Sequence, residues 1–225
     1  MRTLVIGDIH GCSKALDLVL KLAQVRKSDT IITLGDYVDR GPDSKGVIER
    51  LLWLQKQCRL IPIVGNHEIM MLQSRTDPLW HKDWLGHGGR HTLRSYAPHK
   101  ENPTLHDVPD EHWKFIEHDC RDWWETDAHI FVHAGLAPAV PLADQQPLQL
   151  FWEFLTLDAQ PHISGKMIIC GHTSQQNGRP LHLGHTLCLD THAYAGGFLS
   201  CMDIATGNVW QASQSGMKRE FPLLR

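Results

Sequence analysis

Residues 4–11 read LVIGDIHG and residues 32–41 read ITLGDYVDRG. Each starts as a short apolar run and breaks at Gly-Asp. A near-continuous run of β-branched and leucine residues predicts a strand buried on both faces, which is the habit of parallel sheets. Further runs, Leu60 to Val64, Ile130 to Val132 and Met167 to Cys170, break into Gly-Asn, His-Ala-Gly and Gly-His. Between the first three runs, Ser13 to Gln24 places Leu16, Leu20 and Ala23 on one helical face, and Ser44 to Gln57 does the same with Val47, Leu51 and Leu54. Strand, helix, strand, helix, strand predicts parallel βαβ units.

In α/β sheets, ligands sit beyond the carboxyl ends of the strands, where glycine permits tight exits. The five strand ends therefore place Asp8, His10, Asp36, Asn66, His133 and His172 as candidates around one point. Two carboxylates, an amide oxygen and three imidazoles, without a thiolate, suit Mn, Fe or Zn rather than a soft metal or calcium. Six donors exceed what one catalytic metal with open positions needs, and Asp36 can bridge, so two divalent transition-metal ions are expected, with manganese first. Two such ions outweigh the two carboxylates, which favours an anionic substrate, and paired metals suit in-line attack on phosphorus.

The remaining sequence bounds the function. A chain of 225 residues, with 42% hydrophobic and 21% charged residues, makes one well-cored domain. Its net charge of −3 gives no broad footprint for nucleic acid or an anionic membrane. No run is long enough to span a bilayer, and the first is too short for a signal peptide, so a cytoplasmic protein is expected. The six cysteines, none in a CxxC pair, read as buried thiols. Oligomeric state is not legible.

Residues 75–127 hold five of the eight tryptophans, Trp80, Trp84, Trp113, Trp123 and Trp124, and a helix is expected from Pro109 to Cys120. This Trp-rich helical insert either roofs the site or packs onto the sheet, with packing expected for most of the rings. His87 and His91 flank Gly88-Gly89 and are expected in a loop, while His99, His106 and His182 read as surface positions. Strand-like runs at Thr186 to Leu189, Phe198 to Ile204 and Asn208 to Gln211 predict a hairpin about Ala205-Thr206-Gly207. One domain over 1–213 is expected, with 214–225 as a loose C-terminal tail.

GDIHG (7–11), GDYVDRG (35–41), GNHE (65–68), VHAG (132–135) and CGHT (170–173), in this order, resemble the calcineurin-like metallophosphoesterases, and within them the PPP-type phosphoprotein phosphatases of the bacterial and phage group. WLGHGG (84–89) and LDTHAYAGG (189–197) resemble further blocks, so the likeness runs from about residue 3 to 211. It implies a two-sheet α/β sandwich flanked by helices. It assigns Asp8, His10 and Asp36 to one metal and Asp36, Asn66, His133 and His172 to the other. It makes His67, paired with Asp39, the general acid, has Arg40 grip the phosphate beside Asn66, and implies attack by a metal-bridging hydroxide on phospho-Ser/Thr or phospho-Tyr in a phosphoprotein.

The sequence departs from that pattern at one informative place. The family's second phosphate-binding arginine falls in LFWEFLTLD (150–158), where Phe154 stands near the expected position and no arginine occurs from Ala134 to Gly171. Phe154 either packs in the core while Arg90, Arg94, Lys166 or Arg179 reaches in, or it walls the pocket for a flat group such as a phosphotyrosine ring. His192, where the family commonly has glycine, and Tyr194 are candidates to line that pocket. Two alternatives remain: a dinucleoside polyphosphate hydrolase, and a non-catalytic binding protein on the same fold, against which the retained His67, Asp39, Arg40 and six ligands speak.

Overall fold

The computed structural model describes residues 2–223. The chain runs β1 (Thr3–Ile6), α1 (Ser13–Leu22), β2 (Thr30–Thr33), α2 (Ser44–Gln55), β3 (Arg59–Pro62), α3 (Asn66–Gln73), α4 (Pro78–Trp84), α5 (Arg90–Tyr96) and α6 (Asp110–Lys114). It continues through β4 (Trp123–Glu125), β5 (His129–Val132), α7 (Pro147–Phe151), β6 (Met167–Cys170), β7 (Leu181–His182), β8 (Thr186–Cys188), β9 (Leu199–Asp203), β10 (Asn208–Ala212) and β11 (Lys218–Pro222). Two sheets result, ordered β11-β10-β9-β1-β2-β3 and β4-β5-β6-β8-β7. β1, β2 and β3 are parallel, as are β5, β6 and β8.

Side-chain alternation explains the two layers. Along β1, Leu4 and Ile6 join the core beneath α1 and α2, whereas Val5 between them points the other way. Val5 belongs to one cluster with Ile32, Leu34, Phe131, Ile169 and Leu187, so the inner faces of the two sheets share one core. The outer face of the second sheet, at Val132, Ile168 and Cys170, is covered by Leu150 and Phe151 of α7. Both faces of β1, β2, β5 and β6 are therefore dry, which accounts for their unbroken apolar reading. α1 buries Ala15, Leu16, Val19 and Leu20 on one face, and the Asp43 carboxylate caps α2 by accepting from the Gly46 amide at 2.9 Å.

Three expectations need correction. The stretch after Gln214 is no loose tail: Lys218–Pro222 pairs antiparallel with all of β10, because the Ser213–Gly216 turn reverses the chain beside an edge strand. The sheet thus extends beyond residue 213. The segment 75–127 is only partly helical, since Trp123 and Trp124 lie in β4, paired with Val132 and Phe131 of the second sheet. His91 sits in α5 rather than in a loop; the helical path breaks only at Gly88, whose φ of 123° is open to glycine at little cost, and resumes at once. The helix expected at 109–120 forms as α6 plus a wider turn over Phe115–Asp119, with Pro109 as its cap.

Candidate metal centre and active site

All five predicted strand ends meet at one cleft, three from the first sheet and two from the second. Asp8, His10, Asp36, Asn66, His67, Asp39 and His133 are buried, and His172 and Arg40 line the opening. His10, Asp36, Asp39, Arg40 and His172 have positive φ, at 43°, 50°, 71°, 65° and 62°. Such conformations cost non-glycine residues on the order of 1 kcal/mol or more each and persist where surrounding bonds impose them. Here Glu68 supplies part of that constraint. Its buried carboxylate accepts from the amides of Asp36 and Tyr37 at 2.8 Å, Gly65 at 2.9 Å and Val38 at 3.2 Å, tying the second strand's exit loop to α3.

Donor atoms form two overlapping groups, His10, Asp36 and His67 on one side and Asp36, His133 and His172 on the other, each within 4.8 Å. Asp36 is shared, as the bridging expectation requires. Asn66 belongs with the second group through Oδ1, 2.9 Å from His133 Nε2. Asp8 lies outside both groups and accepts from the His172 amide at 2.9 Å.

The donors fit divalent ions in three respects. His10 Nδ1 donates to the Val38 carbonyl at 2.9 Å and His133 Nδ1 to the Leu34 carbonyl at 2.8 Å, which leaves each Nε2 lone pair facing Asp36. His172 donates through Nε2 to the Trp152 carbonyl at 3.1 Å, which leaves Nδ1 free. Backbone carbonyls on the far nitrogen are the usual means of fixing a ligating imidazole. Second, Asp8 Oδ1 is buried without a hydrogen-bond partner, and a methyl group at Gly171 would overlap it. Third, burial and the carboxylates of Asp190 and Asp36 push Asp8 well above the usual carboxylate range, a cost that adjacent cations would reverse.

The rest of the electrostatics follows from burial set against imidazoles. Burial alone would raise Asp36, but His133, His67 and His10 outweigh it and hold the carboxyl well below its ordinary value. Burial, with His133 beside it, lowers His172 to about 4, and burial lowers His67 well below its ordinary value. His67 Nδ1 lies 2.7 Å from Asp39 Oδ2, so the expected pair is formed. Arg40 donates from Nη1 to His10 Nε2 at 3.1 Å and lies over the Tyr194 ring at 4.8 Å.

Above these residues opens a cavity of about 570 Å³, lined by Arg40, Asn66, His67, Trp80, Trp152, Phe154, His172, His192 and Tyr194 among others. Phe154 is 71% exposed and stacks on His172 with ring centres 4.8 Å apart. Core packing of Phe154 is thereby overturned, because nothing buries its outer face. No substitute cation arrives either: among the described residues, Arg40 is the one Lys or Arg lining the cavity. Arg90 and Arg94 line a separate cavity, Lys166 bonds Glu125 and the Thr126 carbonyl, and Arg179 lies over Phe221. Of the insert, Trp80, Asp83 and His87 line the cavity, while Trp84 and Trp113 are buried.

Sequence reasoning missed Glu68 as a support. Glu68 had a signal, an acid three residues after the glycine that opens a helix.

The calcineurin-like phosphoesterase family model matches residues 1–176. The chain is 30% identical over 205 residues to serine/threonine-protein phosphatase 1 of Salmonella typhimurium, covering 87% of this chain and 88% of that protein. It is 42% identical over 73 residues to a symmetrical bis(5'-nucleosyl)-tetraphosphatase of Edwardsiella ictaluri, but that match spans 32% of this chain and a quarter (25%) of the relative. In fold it is similar, at TM-score 0.66 and 20% identity, to a solved structure provisionally named a diadenosine tetraphosphatase, covering 98% of this chain and 93% of that one. With two sheets flanked by helices and the shared Asp36 where they meet, the chain belongs to the calcineurin-like phosphoesterases.

Proposed function

We propose that the protein is a manganese-dependent phosphoprotein phosphatase that hydrolyses phosphomonoesters, with His67 as general acid. The observation that carries this reading is the buried His67–Asp39 pair at 2.7 Å, beside Arg40 and opening onto the donor groups. Likeness over nearly the whole length of a serine/threonine phosphatase supports the substrate class. The reading places the enzyme in the cytoplasm, with a phosphorylated protein as partner.

Ions held by Asp8, His10, Asp36, Asn66, His133 and His172 would supply Lewis-acid charge at phosphorus and acidify the attacking water. The chain's own groups do the rest. Arg40 offers a planar donor fork to phosphoryl oxygens, and Asn66 can turn its amide NH₂ toward the same anion. With His67 in its imidazolium form, Asp39 accepts from Nδ1–H and orients the ring so that Nε2–H faces the cavity and can give its proton to the leaving oxygen. The rings of Phe154 and Trp152 give that cavity an apolar wall.

A second reading, hydrolysis of dinucleoside polyphosphates, is favoured by one observation: Trp80 and Trp152, with ring centres 6.3 Å apart at the cavity wall, offer flat apolar surface to a base. A panel of phosphoserine, phosphothreonine and phosphotyrosine peptides beside a dinucleoside tetraphosphate, with manganese supplied, separates the two. Turnover of the tetraphosphate alone would overturn the phosphatase reading.

A further inference from the structure

The end of α4 and the body of α5 grip the carboxylate of the general-acid pair. Trp84, the last residue of α4, is fully buried. Its Nε1 donates to both oxygens of Asp39, at 2.9 and 3.1 Å. Thr92 of α5 donates from Oγ1 to Asp39 Oδ1 at 2.7 Å and accepts from the Asp39 amide at 2.8 Å, and Ser44 Oγ accepts from that amide at 3.1 Å. The two helices therefore meet on one carboxylate, 45 and 53 residues away in sequence.

Local sequence is arranged to permit this. At Gly88 the chain turns back with φ 123°, and a side chain there would collide with the Arg40 backbone. At Gly89 one would collide with the Trp84 ring itself. The WLGHGG stretch thus lets an indole and a following helix close on Asp39 and Arg40. Asp39 and Arg40 are consecutive residues in the left-handed region, and the bonds from Trp84, Thr92 and Ser44 are what hold Asp39 there.

We propose that Trp84 and Thr92 are positioning residues for proton delivery: they fix the Asp39 carboxylate so that its Oδ2 accepts from His67 Nδ1–H and His67 Nε2–H points at the leaving oxygen. Removing the indole donor frees the carboxylate to rotate, and the imidazolium ring of His67 held by it no longer keeps Nε2–H aimed at the leaving oxygen. Loss of the carboxylate that orients a catalytic imidazole costs orders of magnitude in turnover elsewhere in enzymology. The cost should concentrate on substrates whose leaving oxygen most needs a proton.

This inference rests on the phosphoester-hydrolysis reading, and the test keeps the two apart. Wild type, His67→Asn, Trp84→Phe and Thr92→Val are assayed with manganese on 4-nitrophenyl phosphate, a good leaving group, and phenyl phosphate, a poor one. Trp84→Phe and Thr92→Val keep ring and shape, and their fold is checked by circular dichroism. Each is expected to lower kcat on phenyl phosphate at least ~10-fold, to lower it on 4-nitrophenyl phosphate by under about 3-fold, and to leave KM within about 3-fold. In an Asp39→Asn background, Trp84→Phe should then change kcat less than about 2-fold, because the two act as one unit. Equal losses on both substrates, no loss, or full additivity with Asp39→Asn would overturn the positioning role while leaving the reaction intact. A wild type that hydrolyses neither ester would overturn the reaction itself and the positioning role with it. If Trp84→Phe fails to fold, Thr92→Val carries the same comparison.

Discussion

At the scale of single residues, the same side chain can matter to chemistry without mattering to folding. Phe154 stacks on His172 and is otherwise exposed, so Phe154→Ala should change stability by less than about 0.5 kcal/mol. It should nevertheless raise KM for a phosphotyrosine peptide by roughly 3- to 10-fold, the worth of one aromatic contact, and leave KM for phosphoserine nearly unchanged. Parallel steady-state assays read both. His67→Asn should lower kcat by roughly 10²- to 10⁴-fold, since an amide has no proton to give. A loss confined to KM would argue for substrate binding instead. Sequence order and residue type made both positions visible, but whether Phe154 packs inward or faces the cavity depends on the path of residues 152–158, which no local pattern encodes.

Among elements, the start of the first sheet depends on an ion pair between chain segments. Asp29, just before β2, is buried and accepts from Arg2 Nη2 at 2.7 Å and from the Arg26 amide at 2.9 Å. Burial opposes its ionisation, but the bonds from Arg2 and Arg26 outweigh it and hold the carboxyl below its ordinary value. A depressed folded-state value means the stabilisation is fully present above the unfolded carboxyl's ordinary pKa of about 4 and fades as pH falls through the folded value. Asp29→Asn should therefore cost about 1–2 kcal/mol at pH 7, and the gap to wild type should narrow below about pH 4, which urea melts at several pH values would show. Elements with strong periodicity, such as α1 and β1, were legible within a residue or two. β11 was not, because KREFP alternates weakly and becomes a strand only when the edge of β10 is there to pair with it.

On the scale of the whole molecule, two sheets must be held face to face before the donor groups exist. Phe131 is fully buried between the sheets, so Phe131→Ala should cost roughly 3–5 kcal/mol and lower the melting temperature by several degrees, measured by calorimetry. Chelation should act on the same junction from the other side. Without cations, the buried carboxylates of Asp8, Asp36 and Asp190 face one another. Exhaustive dialysis against a chelator should thus abolish phosphatase activity and lower the melting temperature, and manganese should restore both. Unchanged melting with chelator would remove the stabilising role assigned to those ions.

The strand ends, the ligand types and the number of layers' worth of apolar residues were all readable along the chain, because each depends on residues a few positions apart. Buried strands must be apolar on both faces, and donors must follow glycine where strands stop. Folding alone settled the rest: that Phe154 faces the cavity, that no cation among the described residues replaces the missing arginine beside it, and that Trp84 and Thr92 clamp Asp39 from 45 and 53 residues away. Those facts are contacts between segments with no shared local pattern, and their geometry is set by packing, which sequence spacing does not record.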